Sequence, residues 1–195
     1  FGTLADYFNS QNDLRERRIQ VLHNLSFVED PTRIFRAIRF ESRLDFQITR
    51  HSEKLIKNAV RLNLPERIEG HRFLHELELI LSEDDPIPAL RRMEDLELFP
   101  FLWPDLQPDF KLDRRFLHVL TMTSQVISWF HHLYLEEKLE KWLVYLLAIM
   151  NRARVKDMDN FCERFEMPEK QRQLLVQQKQ RAEKVAQELL KRPYA

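Results

Sequence analysis

Apolar residues recur every three to four positions along most of the chain, and this spacing is typical of amphipathic helices. The 195 residues are 44% hydrophobic, so the chain can form a sizeable buried core. The sequence therefore predicts an all-α protein built as an irregular array of helices. The predicted helices cover residues 30–43, 49–61, 71–81, 88–98, 114–132, 136–151, 155–165 and 168–191. Thr49 can cap the second of them, and the apolar run at 141–150 indicates a buried helix.

Two features interrupt the helical pattern. The short apolar run at residues 19–22 is bounded like a strand, and no partner strand is evident in the sequence. At residues 101–113 prolines accumulate and helix-forming residues are few, which indicates an irregular connection. We therefore expect an entry segment at residues 1–25, a first helical region at 26–100 and a second helical region at 114–195.

A dense set of charges lies at the start of the first long predicted helix. Glu29 and Asp30 precede Pro31, and proline suits the first turn of a helix because its missing N–H costs little there. Arg33 follows Glu29 by four residues and Asp30 by three. At helical spacing either carboxylate can therefore hold the Arg33 guanidinium in a fixed pose, with Arg36 on the same face. Ile34 and Ile38 point the other way and are expected to pack.

The residues alone leave two interpretations of this charged face open. A carboxylate accepts hydrogen bonds and a guanidinium donates them in a rigid fork. Side by side, Asp30 and Arg33 could therefore meet the mixed donor and acceptor edge of adenine or cytosine. The alternative is an ordinary solvated helix face with ion pairs inside the helix.

The residues around this face resemble a known protein family. The run 25–40, LSFVEDPTRIFRAIRF, followed by RLDF at 43–46, is similar to the nucleotide-selecting neck motif of the class II tRNA nucleotidyltransferases and poly(A) polymerases, which contains EDxxR. Residues 65–68 and 89–100 resemble the segment that joins neck to body in the same family. Beyond this first half of the chain, only helical character supports the resemblance.

The resemblance assigns a role to each charged residue of the motif. It implies that Asp30 and Arg33 pair with the base of the incoming nucleotide, as a template strand would, and that Glu29 orients the arginine. For Arg36 and Arg39 it implies less specific roles, either in packing the neck or in contact with phosphate. The nucleotide-selecting helix is thus expected at residues 30–43.

The chain departs from the family pattern at two positions near the motif. Phe35 stands where the family more often has leucine, and Asp45 stands where it often has glycine. Neither change alters the base-reading residues. Phe40 and Phe46, which lie close to the motif, are the aromatic candidates for stacking against a base.

The resemblance also implies an activity and the parts it needs. The family adds nucleotides to RNA 3′ ends without a template, taking ATP and/or CTP and using Mg²⁺ held by paired aspartates in a head domain. This chain has two glycines and no Gly-Ser or Gly-Gly sequence, and its one Asp-x-Asp sequence, at residues 157–159, lies well after the neck-like segment rather than before it, so the head motifs are not evident. We expect the C-terminal neck, body and tail of a larger enzyme, which selects the base and holds tRNA or another RNA but is inactive alone. No cofactor is expected to bind this chain itself.

Charge is balanced overall, with 31 basic and 31 acidic residues, which excludes a general polycation that would hold nucleic acid. Both ends of the chain are nevertheless net basic, and the last predicted helix is long and polar. In the resembled family the tail meets tRNA, which makes Lys179, Arg181 and Lys184 candidate phosphate contacts. An ordinary solvated helix face is the alternative.

Other chemistries receive no support from the sequence. His71 and His75 have helical spacing, but a zinc hydrolase motif needs a glutamate directly after the first histidine and a third ligand. We therefore expect no metal site in this chain. The single cysteine, Cys162, excludes an internal disulfide and agrees with a cytoplasmic location. No apolar run approaches the ~20 residues that a membrane span requires.

The sequence leaves several functional alternatives open. The parent enzyme could add CCA, only A or only C to tRNA, or it could polyadenylate RNA, because those specificities depend on features outside this chain. A different class of function is a freestanding helical scaffold or RNA-binding module that kept the neck sequence without its chemistry. The oligomeric state is not indicated.

Overall fold

The computed structural model describes residue 2 and residues 5–102, 111–133 and 139–191. Within these residues helices dominate, which confirms the predicted all-α class. The proline-rich connection predicted at residues 101–113 lies for the most part outside the described residues.

Helices and two short strands make up the first of two compact units, Phe1–Phe101. The unit also contains a 3-10 turn at Leu64–Arg67. Its helices are α1 (Ser10–Arg15), α2 (Ser26–Glu29), α3 (Thr32–Leu44), α4 (Arg50–Arg61), α5 (Gly70–Leu81), α6 (Ile87–Asp95) and α7 (Phe99–Leu102), which ends at the first residue of the second unit.

The two strands form a small parallel ladder. Strand β1 (Arg18–Ile19) pairs with β2 (Gln47–Ile48), and Ile19 lies opposite Ile48. The strand predicted at residues 19–22 is thus shorter than expected, and the expectation that it has no partner is wrong. A two-residue strand directly after a helix gives no periodic signal of its own, so β2 could not be recognised from the pattern.

The helix predicted at residues 30–43 begins at Thr32 rather than at Asp30. Asp30 has extended backbone angles, φ −144° and ψ 94°, and separates α2 from α3. The cause is Pro31, because the ring of a proline disfavours the helical conformation of the residue before it. Glu29 and Arg33 therefore lie on two successive helices, and the second of them begins two residues later than predicted.

Helix α3 is held by its apolar face. Ile34 and Ile38 are completely buried, as their spacing predicted. Phe35 is 1% exposed and meets Phe73 of α5 edge to face, with ring centroids 4.7 Å apart. Such aromatic pairs add to the stabilisation that burial provides. Helix α3 thus packs against α5 through the residues next to its charged start.

The first turn of α4 confirms a predicted cap. The Thr49 side chain accepts a hydrogen bond from the backbone N–H of Ser52, which satisfies a donor that the helix leaves unpaired. The Ser52 hydroxyl in turn accepts a hydrogen bond from the N–H of Val21, at 3.1 Å. The start of α4 is therefore linked to the segment that follows β1.

Arg92 of α6 joins three helices. Its Nε donates to Glu41 of α3 at 2.8 Å, and its Nη2 donates to Glu53 of α4 at 2.6 Å. Hydrogen bonds from Lys57 and Arg92 lower the pKa of Glu53 despite its partial burial. This half-buried charge network fixes the far end of α3, so both ends of the helix are anchored within the first unit.

In the second unit, Leu102–Ala195, all regular secondary structure of the described residues is helical. Its core is built from buried side chains of every helix in the unit, Tyr145 being completely enclosed. The apolar run at 141–150 is confirmed as a buried helix that begins at Lys141. Residues 136–138, which the predicted helix also included, lie outside the described residues. The helices are α8 (Arg114–His132), α9 (Lys141–Ile149), α10 (Val155–Arg164) and α11 (Glu169–Lys191), with a 3-10 turn at Met150–Arg152.

Candidate functional site

The charged motif surrounds the break between α2 and α3. Because Asp30 lies just before the helix in extended conformation, its side chain can fold back over the first turn. Its Oδ1 accepts hydrogen bonds from the backbone N–H of Thr32 at 3.2 Å and from the Thr32 hydroxyl at 2.6 Å. Thr32 is itself buried. Asp30 thus does the work of a helix cap and is held in one orientation.

Arg33 lies between the two carboxylates, as the sequence predicted. Its Nη1 is 3.8 Å from Glu29 Oε2, and its Nε is 4.0 Å from Asp30 Oδ2. The same Nη1 donates to the carbonyl of Ser26 at 3.4 Å. All these contacts are long, and about two fifths of the Arg33 side chain is exposed. The guanidinium is therefore steered toward the carboxylates while keeping donors available to a ligand.

Arg72, at the start of α5, is a member of this site that the sequence did not reveal. Its Nη2 donates to both oxygens of Asp30, at 3.1 Å and 3.2 Å. The two residues are 42 positions apart, and Arg72 stands outside the segments that resemble the family motif. No local spacing rule links residues so distant, so the contact emerges only from the packing of α3 on α5.

The carboxyl group of Asp30 is tuned to remain ionised. Partial burial raises the pKa of Asp30. Hydrogen bonds from the Thr32 hydroxyl and backbone N–H, together with the Arg72 guanidinium, lower the pKa by more than burial raises it. The net result is a pKa below the ordinary aspartate value. At neutral pH Asp30 therefore acts only as a hydrogen-bond acceptor.

A cavity of about 400 Å³ opens beside Arg33. On one side it is bounded by residues 19–23, and on the other by α3. Its lining combines two guanidiniums with apolar and aromatic side chains, a composition typical of small-molecule sites. Lining residues on α2 and α3 are Ser26, Phe27, Arg33, Arg36, Ala37 and Phe40. Phe40, one of the two aromatic candidates for base stacking, therefore faces the cavity, whereas Phe46 is not among its lining residues.

Arg36 and Arg39 occupy different surroundings. Arg36 is exposed at the cavity, whereas only 11% of the Arg39 side chain is exposed and its Nη1 donates to Glu83 at 3.3 Å. Of the two roles predicted for Arg39, its burial and partner favour packing. Both arginines influence Glu76, since burial raises the pKa of that carboxyl and the two guanidiniums oppose the rise.

The three tail residues predicted to contact RNA also differ from one another. Lys179 is 5% exposed, its Nζ donates to the carbonyl of Asn151 and it lies 3.3 Å from Glu183. A buried ammonium with these partners is not available to a phosphate, so its environment does not support the predicted contact. Arg181 and Lys184 are exposed on α11.

Neither a metal site nor a reactive thiol is evident in the described part of the chain. Among those residues, no group of three His, Cys, Asp or Glu side chains is arranged to hold a metal ion. Burial raises the pKa of the Cys162 thiol to about 11, which disfavours the reactive thiolate. Across the same residues, every helix is too short or too polar to cross a membrane.

Comparison with known proteins gives a consistent result. A family profile described as "Probable RNA and SrmB- binding site of polymerase A" matches residues 45–110. The chain is 48% identical over 185 residues to the A-adding tRNA nucleotidyltransferase of Geobacter sulfurreducens, covering 95% of this chain and 21% of that protein. It is 35% identical over 170 residues to the A-adding enzyme of Aquifex aeolicus, covering 86% and 20%.

Solved structures that superimpose on this chain are also of tRNA-processing or CCA-adding enzymes. A structure titled "tRNA-processing enzyme (apo form I)" superimposes with a TM-score of 0.83 at 31% identity, covering 99% of this chain and 51% of that one. The Thermotoga maritima CCA-adding enzyme complexed with tRNA has a TM-score of 0.79 at 32% identity, covering 95% and 43%. A CCA-adding enzyme with ATP has the same TM-score and identity, covering 95% and 42%.

An all-helical array that carries an EDxxR motif at the start of a packed helix defines the neck-to-tail part of an RNA nucleotidyltransferase. The chain belongs to the class II tRNA nucleotidyltransferase family and corresponds to the C-terminal part of its members. It spans about a fifth of the length of the curated relatives it matches.

Proposed function

We propose that this chain is the base-selecting and RNA-holding part of an enzyme that adds nucleotides to tRNA 3′ ends without a template. The observation that carries the proposal is that Asp30 lies beside Arg33, and that Arg33 lines a partly aromatic cavity. One side chain can only accept hydrogen bonds and the other can only donate them. Together they form a fixed pattern that a nucleotide base can match.

This pattern suits adenine and cytosine and disfavours guanine and uracil. Adenine and cytosine each present an exocyclic amine next to a ring nitrogen that accepts hydrogen bonds. Asp30 accepts from the amine, and Arg33 donates to the ring nitrogen, while Glu29 keeps the guanidinium in place. Guanine and uracil present a carbonyl next to an N–H, so acceptor would face acceptor and donor would face donor. Unmatched polar groups of this kind are costly in a partly closed site.

Among the nucleotides that fit, we propose that adenosine is the one added. The two enzymes from Geobacter sulfurreducens and Aquifex aeolicus, which align over most of this chain, are named A-adding tRNA nucleotidyltransferases. ATP and a tRNA 3′ end are therefore the proposed substrates. The neck motif accepts either amine-bearing base, so the restriction to adenosine would come from the catalytic head.

Phosphoryl transfer itself needs groups that this chain does not provide. In the family, Mg²⁺ bound by head carboxylates supplies the electrostatic stabilisation of the reacting phosphates. The proposed contribution of this chain is to orient the base and the RNA. We also propose a cytoplasmic location, which the single cysteine supports and which cell fractionation would check.

Replacing Arg33 with alanine in the full-length enzyme tests the base-reading role. We expect kcat/KM for ATP to fall by about ten- to a hundredfold, because a hydrogen bond from a charged donor contributes ~1.5–3 kcal/mol. Steady-state addition to a tRNA lacking its terminal adenosine measures the effect. Arg43→Ala is a matched control on the same helix and should be near wild type. Unchanged use of ATP by a folded Arg33→Ala enzyme would remove the proposed role.

For the tail, we propose that Arg181 and Lys184 contact tRNA phosphates. Both are exposed on α11 in a net basic part of the chain. The double variant Arg181→Ala/Lys184→Ala should weaken tRNA binding and reduce the slope of log K against log salt by about one to two, since each phosphate contact contributes about one to that slope. Binding at several salt concentrations measures it. The charge-matched control Lys156→Ala/Lys170→Ala should keep the wild-type slope, and an equal change in both double variants would contradict a specific contact.

A further inference from the structure

The two oxygens of Asp30 have unequal surroundings. Oδ1 accepts from the Thr32 backbone N–H, the Thr32 hydroxyl and Arg72 Nη2. Oδ2 accepts from Arg72 Nη2 at 3.2 Å and otherwise lies 4.0 Å from Arg33 Nε, too far for a hydrogen bond. A carboxylate oxygen has two lone pairs, so Oδ2 keeps one for a ligand. Oδ2 is also the oxygen on the side of Arg33.

We propose that Arg72 is a positioning residue for base selection. Its contact with Asp30 from α5 keeps Oδ2 and the Arg33 guanidinium side by side without a hydrogen bond between them. The inference rests on the proposed function, since it concerns how the same base-reading pair is kept ready.

Arg72 prevents Asp30 and Arg33 from forming hydrogen bonds with each other. An aspartate and an arginine three residues apart attract each other, and direct hydrogen bonding between them would consume the groups that the base needs. Arg72 supplies a competing positive charge, since its Nη2 donates to both oxygens of Asp30. Arg33 Nε lies 4.0 Å from Asp30 Oδ2. This distance is expected if Arg72 holds the Asp30 carboxylate.

A purely structural role accounts poorly for this contact. Nearly half of the Arg72 side chain is exposed, and ion pairs of such exposure contribute little to folding stability. Helix α5 is anchored independently by Phe73 and Leu77, which are buried. Loss of the Arg72 side chain should therefore leave α3 and α5 packed, which makes the catalytic consequence measurable.

The test is steady-state kinetics of the full-length enzyme with Arg72→Ala and Arg72→Lys. For Arg72→Ala we expect kcat/KM for ATP to fall about tenfold, mainly through KM, and the preference for ATP over GTP to fall by a similar factor, because a small misplacement of a positioning group is costly. A single nitrogen of Arg72 makes the contact. A lysine can therefore replace it, and Arg72→Lys should recover most of the preference.

Controls separate this inference from the proposed function. Arg91→Ala removes an exposed arginine from α6 and should behave as wild type. In an Asp30→Ala background, Arg72→Ala should have little further effect, because the two residues act as one unit. If Asp30→Ala itself leaves base preference unchanged, the proposed function fails. If Asp30→Ala abolishes the preference while Arg72→Ala retains it, or if Arg72→Lys is no better than Arg72→Ala, the positioning role is overturned.

Discussion

Asp30→Asn in the full-length enzyme should lower kcat/KM for ATP by about a hundredfold. The backbone N–H of Thr32 donates to Oδ1 of Asp30, so an asparagine must keep its carbonyl oxygen at that position. Its amide nitrogen is then forced into the position of Oδ2, beside Arg33. A donor would face the adenine amine there, and an unsatisfied polar contact of this kind costs ~1–3 kcal/mol. Addition of AMP to tRNA at varied ATP concentration measures the loss.

The matched control for this change is Asp95→Asn. Asp95 is an exposed aspartate at the end of α6, so the same loss of charge there should leave kcat/KM within about twofold of wild type, as surface changes usually do. Thermal unfolding should show that both variants are folded. A folded Asp30→Asn enzyme that uses ATP as well as wild type would contradict the assignment of Oδ2 as the reading atom.

Phe35→Ala should produce the largest loss of stability among changes near the site. The side chain is 1% exposed and packs edge to face on Phe73. Truncating a buried phenylalanine to alanine typically lowers the free energy of unfolding by ~3–5 kcal/mol, since contacts are lost and a cavity remains. Urea denaturation of the chain, followed by a probe in the first unit, measures the change.

Phe35→Leu provides the comparison for this prediction. Leucine is the residue that the resembled family more often has at this position, and it refills most of the space. We expect Phe35→Leu to lower the free energy of unfolding by less than half as much as Phe35→Ala, because leucine leaves a smaller cavity. Equal destabilisation by both variants would contradict this expectation. It would show that the aromatic ring of Phe35, rather than the volume it fills, is needed for the packing of α3 on α5.

Phe35 also connects stability to the site. It lies on α3 three residues after Thr32, and its partner Phe73 directly follows Arg72 on α5. The aromatic contact therefore sets the distance between the helix that carries Asp30 and the residue that grips it. Packing and the proposed base recognition therefore depend on the same helix pair.

Local patterns predicted most of the fold. The buried positions Ile34 and Ile38 followed from helical spacing, and the cap at Thr49 followed from its place before an apolar-periodic run. These features depend on residues within one or two turns of each other. The order of the site residues Glu29, Asp30 and Arg33 was likewise available from the sequence, because a short motif carries it.

Contacts between distant residues could not be predicted in this way. Arg72 reaches Asp30 across 42 positions, and β1 finds its partner after 29, because tertiary packing brings these segments together. Lys179 stands on a polar helix face by sequence, yet the adjoining turn at Met150–Arg152 covers it. The break at Asp30 was in principle readable, since a residue before proline resists the helical conformation.

Asp30 is proposed to read the exocyclic amine of the incoming base. The most direct measurement compares ATP with purine riboside triphosphate, which lacks only that amine, in wild-type and Asp30→Asn enzymes. We expect wild type to prefer ATP by about tenfold or more, as is usual for a hydrogen bond to a charged group, and Asp30→Asn to lose or reverse the preference. The same preference for ATP in both enzymes would contradict this role of Asp30.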